Sequence, residues 1–140
     1  MFTDTHFHLM SIKNRGIDIN SMLLQMAQQK FPFLLDIGTE VNDFLCRYKE
    51  FSQVLLDIAS WGNTYHDYLR KITHFSCGLW PSTESINNRH EYIKIIEKTI
   101  LENSSNIIAL GECGIDRHYN LDNIPQEIEL FQLQLELAKK

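Results

Sequence analysis

Phe2-Thr3-Asp4-Thr5-His6-Phe7-His8-Leu9 interleaves β-branched and aromatic residues with polar ones, and that alternation predicts a strand. Successive side chains of a strand point to opposite faces, so Asp4, His6 and His8 share one. Three further apolar runs follow: Phe31–Ile37, entered through a proline and closed by Gly38; Ile72–Leu79, closed by Trp80-Pro81; and Ile107–Leu110, closed by Gly111. A stripe of helical period comes after each run. The stripes are Ile19, Met22, Leu23, Met26 and Ala27, with Asn20 or Ser21 as the cap; Phe44, Leu45, Tyr48 and Phe51; Tyr92, Ile93, Ile96, Ile100 and Leu101; and Ile128, Phe131, Leu135 and Ala138, starting at Pro125. Residues 54–70 predict one more short helix or an ordered excursion. Strand then helix, four times over, with runs too apolar for a sheet wetted on one face, predicts parallel βα units. Their starts near residues 2, 31, 72 and 107 are roughly 30–40 residues apart, as in β/α barrels. A closed eight-unit barrel takes about 250 residues, so this chain of 140 predicts the first half of a TIM-type α/β barrel, one partial domain over residues 1–140.

Composition narrows the function. Thirteen Lys and Arg stand against 18 Asp and Glu, a net charge of −5, which excludes a protein that holds nucleic acid by bulk electrostatics. No apolar run has the length of a membrane span. The opening residues lack the basic-then-apolar order of a secretory signal, and the three cysteines, Cys46, Cys77 and Cys113, form no CxxC pair. Together these predict reduced thiols and a cytoplasmic protein. Cys77 and Cys113, beside glycines, read as small buried hydrophobes rather than nucleophiles. GxGxxG, P-loop and GxSxG patterns are missing, so nucleotide cofactors and serine chemistry have no support.

Two segments carry chemistry. Two imidazoles at i and i+2 on the first strand can chelate one metal ion at the sheet's end, and imidazole suits Zn, Mn, Fe or Ni better than Mg or Ca. The plain alternative is a pair of surface histidines on an edge strand; the opening position in a βα series and the acid at Asp4 favour the metal. The second segment is Gly111-Glu112-Cys113-Gly114-Ile115-Asp116. Ile108, Leu110 and Glu112 alternate on one face, which carries the Glu112 carboxylate to the C-terminal end of the fourth strand, where active sites of α/β folds gather. Such a carboxylate can bridge two cations; alone, it is equally a solvated acid in a strand-to-helix loop.

DTHFHL at the start, GECGIDRHYN, then Gln126 leading to FQLQLELA, together resemble the TatD-type deoxyribonucleases of the amidohydrolase superfamily, in order and spacing across the whole chain. The resemblance implies a β/α barrel with two divalent cations at the C-terminal mouth of its strands, hydrolysing DNA phosphodiester bonds. It matches His6 and His8 to the pair on one metal, Glu112 to the bridging catalytic carboxylate, and Asp116 to a supporting aspartate. Mg, Mn and Zn are not told apart by it. Single-stranded DNA ends, weakly bound, are the implied partner; the metals supply the local positive charge that the chain lacks. Arg117 reads as a phosphate contact or an ion-pair partner of Asp116. Where the family commonly has Gly-x-His-Pro, this chain has Gly78-Leu79-Trp80-Pro81, so Trp80 is either a base-stacking surface or a packing residue.

The family's remaining ligands, two histidines and an aspartate, have no counterpart here: His66, His74, His90 and His118 read as loop or helix-surface residues. The chain also stops within a helical pattern. Three ligands fall short of a bridged pair of ions, so the chain alone is expected to be inactive, a piece of a longer barrel or one that associates with itself through exposed sheet edges. Two other readings remain: an amidohydrolase cleaving C–N or ester bonds, and a non-catalytic truncated remnant acting in protein interaction.

Overall fold

Four strands and seven helices occupy the described residues, 2–118 and 122–140, of this computed structural model. In chain order they are β1 (Asp4–Phe7), α1 (Leu9–Asn14), α2 (Ile19–Gln28), β2 (Leu34–Asp36), α3 (Asp43–Ser60), α4 (Tyr65–Ile72), β3 (Thr73–Cys77), α5 (Thr83–Asn87), α6 (Arg89–Glu102), β4 (Ile107–Leu110) and α7 (Ile124–Leu137). The sheet order is β1-β2-β3-β4, and β1 with β2 and β2 with β3 run parallel, as the βα alternation predicts. The first three strands are shorter than their apolar runs, while β4 matches its run. The excess residues enter the turns: Leu9 begins α1 and Ile72 ends α4. The excursion at 54–70 resolves into the last turns of α3, a turn at Gly62 (φ 72°) and α4.

One compact unit comprises the residues up to Ile37 together with Leu45–Phe75. Its core holds Phe7, Leu9, Leu23, Ala27, Leu34, Ile58, Leu69 and Phe75, all buried. On α2 the buried line is Ile19, Leu23 and Ala27, as the stripe predicts. Its cap is Asp18, however, rather than Asn20 or Ser21. The Asp18 carboxylate accepts the Asn20 and Ser21 amides at 3.0 and 3.3 Å and the Ser21 hydroxyl at 2.6 Å. Those bonds, the Ser21 hydroxyl foremost, hold the Asp18 carboxyl below its ordinary value. On α3 the expected inward residue Leu45 is exposed, and Arg47 is buried in the line that Phe51, Val54 and Ile58 continue.

The other unit comprises Gly38–Phe44 and Ser76–Lys140. Here α6 buries Ile96 as predicted, while Leu101 is exposed. The α7 stripe is rotated from the predicted one: Glu127, Leu130 and Gln134 face inward, and Leu135 and Ala138 are exposed. Two polar side chains cause the rotation. The Gln134 amide accepts the Leu79 N–H at 2.8 Å and donates to the Leu79 carbonyl at 3.1 Å, pairing with that peptide as a neighbouring strand does. Glu127 accepts the Asp116 amide. No helix among the described residues is long and apolar enough to cross a membrane.

Helix α2 ends in a left-handed residue that is not glycine. Lys30 has φ 56°, with Lys30 N–H on the Ala27 carbonyl at 3.0 Å and Phe31 N–H on the Met26 carbonyl at 3.1 Å, a Schellman closure. A side chain in that region costs roughly 1–2 kcal/mol. Lys30→Gly is therefore expected to stabilise the chain by ~1 kcal/mol in urea unfolding, less the entropy that glycine returns to the unfolded state; an unchanged or lower midpoint would contradict this.

Candidate metal centre

The end of β1 is held by backbone bonds to β2. Phe7 offers its carbonyl to the Ile37 N–H at 2.8 Å, and Asp4 accepts the His6 N–H at 3.1 Å. Asp4 thus braces the strand backbone, not an imidazole. His8 lies just past the strand, but its backbone stays extended (φ −123°, ψ 96°), so the alternation continues and both imidazoles emerge together. His6 is exposed and His8 half-buried; their Nε2 atoms are 3.3 Å apart.

The His8 Nδ1 atom lies 3.1 Å from the Ile37 carbonyl. A carbonyl only accepts, so Nδ1 carries the proton and Nε2 keeps its lone pair, the form in which imidazole binds a metal. Two nitrogens each about 2.0–2.1 Å from one tetrahedral ion stand about 3.3 Å apart. The observed separation meets that requirement before any ion arrives.

Glu112 is fixed from the other side of its peptide. Its N–H donates to the Gly38 carbonyl at 2.6 Å, and the preceding Gly111 N–H to the Cys77 carbonyl at 3.1 Å. The buried Ser76 hydroxyl donates to the Gly111 carbonyl at 2.7 Å and accepts the Gly38 N–H at 3.0 Å, clamping two strand ends with one oxygen. Gly78 permits the approach: a Cβ there would sit 2.5 Å from the Gly111 carbonyl carbon. The first unit thus offers two imidazole nitrogens, from His6 and His8, and the second offers one carboxylate, from Glu112, donors of the type that suit a divalent ion.

The remaining predicted residues do less. Asp116 accepts the His118 amide at 2.9 Å and gives its own N–H to Glu127, so it shapes the loop. Arg117 is exposed. Trp80 is half-buried, its N–H on the Thr39 carbonyl at 2.9 Å. His74 departs from its expected loop or helix surface: it lies on β3, stacked on Phe33 at 5.2 Å between ring centres. His66 and His90 are helical, and His90 pairs with Glu129 at 3.2 Å. Cys77 is buried, whereas Cys113 is half-buried, and burial, with the neighbouring Glu112, pushes its thiol above the ordinary value. Tyr119 and Asn120, the end of the GECGIDRHYN segment, lie outside the described residues. The sequence reading missed Asp36, Arg47, Ser76 and Glu127. The only signal they gave was a polar residue where the apolar period called for a hydrophobe.

The fold is a parallel α/β one of the kind found in amidohydrolases. A solved structure described as an uncharacterized amidohydrolase from Saccharomyces cerevisiae superimposes with a TM-score of 0.64 at 15% identity, over 98% of this chain and 43% of that one. The chain belongs to the TatD related DNase family, whose model matches residues 3–140. A curated relative, "Putative deoxyribonuclease TATDN1 homolog" of Enterocytozoon bieneusi, is 36% identical over 70 residues, covering 44% of this chain and 25% of the relative. The chain thus spans under half the length of the proteins it matches.

The Gly78–Gly111 approach is testable by itself. Gly78→Ala is expected to cost ~1–3 kcal/mol of stability, since the methyl meets backbone that has no side chain to turn aside. It should also shift the amide resonances of Gly111 and Glu112. Native stability with unmoved resonances would show that the strand ends have room to spare.

Proposed function

We propose that His6, His8 and Glu112 hold one divalent cation in a phosphodiesterase centre that, in the full-length protein, works with a second ion on DNA ends. The observation that carries this reading is the pair of Nε2 atoms at 3.3 Å, with His8 fixed in the metal-binding tautomer by the Ile37 carbonyl. Family membership supports a hydrolase, and the relative's printed name supports DNA as the substrate. When bound, the cation offsets phosphate charge and lowers the pKa of a water at the site.

The chain's own residues then have separate tasks. His8 presents Nε2 because its other nitrogen is committed. His6 supplies a second neutral ligand from the same strand face. Glu112 supplies the negative ligand, held in place by its own amide on the Gly38 carbonyl. Arg117, exposed in the loop after Glu112, is suited to a phosphate, and the half-buried Trp80 ring to stacking on an end base. Among the described residues, three ligands belong to this proposal, enough for one ion; on this reading the chain by itself binds one ion and is not expected to turn over DNA.

Zinc or manganese titration of the chain checks this. One equivalent is expected to bind, with at least tenfold weaker binding in His6→Ala, His8→Ala and Glu112→Gln. The melting temperature of the zinc-loaded chain should fall on addition of EDTA, by the stability that the bound ion supplied. Undiminished affinity in the triple variant would remove the centre. EDTA-sensitive cleavage of single-stranded ends by the pure chain would overturn its inactivity.

A further inference from the structure

We propose that Asp36 is a positioning residue for this centre, acting on His8 through the amide of Leu9; the proposal rests on the metal reading above. His8 occupies the residue before the first turn of α1, where a Ser, Thr, Asp or Asn side chain ordinarily accepts one of the helix's orphan amides. It does not cap, because its ring is turned to the Ile37 carbonyl. The Leu9 N–H, next in the chain, is taken instead by Asp36 Oδ1 at 2.8 Å, from the last residue of β2. His8 is thereby gripped on both sides by consecutive residues, its ring by Ile37, just past β2, and its following peptide by Asp36, the last residue of β2.

Asp36 is fully buried, and its second oxygen accepts Arg47 Nη1 at 2.8 Å. Arg47, 3% exposed, also donates to the Asp36 carbonyl at 3.2 Å and lies 5.9 Å from the centre of the Phe75 ring. A buried ion pair is a poor source of net stability, because desolvation of both charges consumes much of the attraction and an apolar pair of like volume often serves as well. The pair instead does something an apolar pair cannot. Arg47 fixes the carboxylate's rotation, which leaves Oδ1 aimed at Leu9. Outer partners of this kind govern how well a histidine ligand is oriented.

Two double variants separate positioning from packing. Asp36→Asn/Arg47→Gln keeps an acceptor for Leu9 and a hydrogen bond between the two side chains. Asp36→Leu/Arg47→Met fills the same space and removes the acceptor. Zinc affinity, by competition with a chromophoric chelator, is expected to stay near the parent value in the polar pair and to fall roughly ten- to a hundredfold in the apolar pair. Imidazole 15N shifts should show the Nδ1–H form of His8 kept in the first and mixed in the second. Equal losses in both, or none in the apolar pair, overturn the proposal. A measurement on the unaltered chain stands beside these should either variant not fold. Slow hydrogen exchange at the Leu9 amide supports the grip, and exchange as fast as in a free loop overturns it. His8→Ala distinguishes the two levels: unchanged zinc binding there removes the metal centre itself, whereas lost binding with an unaffected apolar pair removes only the role of Asp36.

Discussion

The first peptide groups beyond β2 organise the candidate residues. The Ile37 carbonyl lies on His8 Nδ1, and the Gly38 carbonyl, one residue on, takes the amide of Glu112. Strand ends suit this task. Within a sheet every backbone group is committed to its ladder, whereas at the C-terminal edge carbonyls remain that must find donors. Here a histidine ring and the amide of an acid meet that need, so the His8 ring and the Glu112 backbone are held by main chain rather than by flexible side-chain contacts.

Much of this was legible before any coordinates. Phe2–Leu9 alternates, and alternation alone puts His6 and His8 on one face; the glycines at 111 and 114 bracket an acid at a strand end. The helices followed wherever their inward faces are apolar, as on α2. Prediction failed where a polar side chain is turned inward. Arg47 displaced Leu45 from the core line of α3, and Glu127 and Gln134 rotated α7 away from Ile128 and Leu135. A hydrophobic period cannot register such residues, because each is stabilised by one specific partner rather than by area: Asp36 for Arg47, the Leu79 peptide for Gln134, the Asp116 amide for Glu127. The helix cap at Asp18 was missed for a smaller reason, since Asn20 and Ser21 are also capping types and only geometry distinguishes acceptor from donor.

The misread positions share a location. Asp36, Ser76, Glu127 and Gln134 all bond to backbone at or just beyond strand ends: Leu9, Gly38 and Gly111, Asp116, and Leu79. Loops there carry peptide groups that no ladder satisfies, and burying them unpaired would cost more than the helices' apolar faces return. Spending core positions on side-chain acceptors and donors is how the chain keeps those loops both buried and irregular. The sequence reading therefore fails most where the functional loops are built, which is the expected place for local rules to yield.

Charge decides what such a centre attracts. The chain carries a net −5, and a site made only of carboxylates would leave a bound divalent ion neutral or negative overall. In the proposed centre, two imidazoles and one carboxylate would leave the ion one positive charge within an acidic chain. A polyanion would then be drawn at a single point, the reverse of a basic nucleic-acid binder that grips along its length. A single point of attraction favours a terminus, which can approach end-on with few neighbouring phosphates, over the middle of a strand, and that is the physical reason for proposing DNA ends.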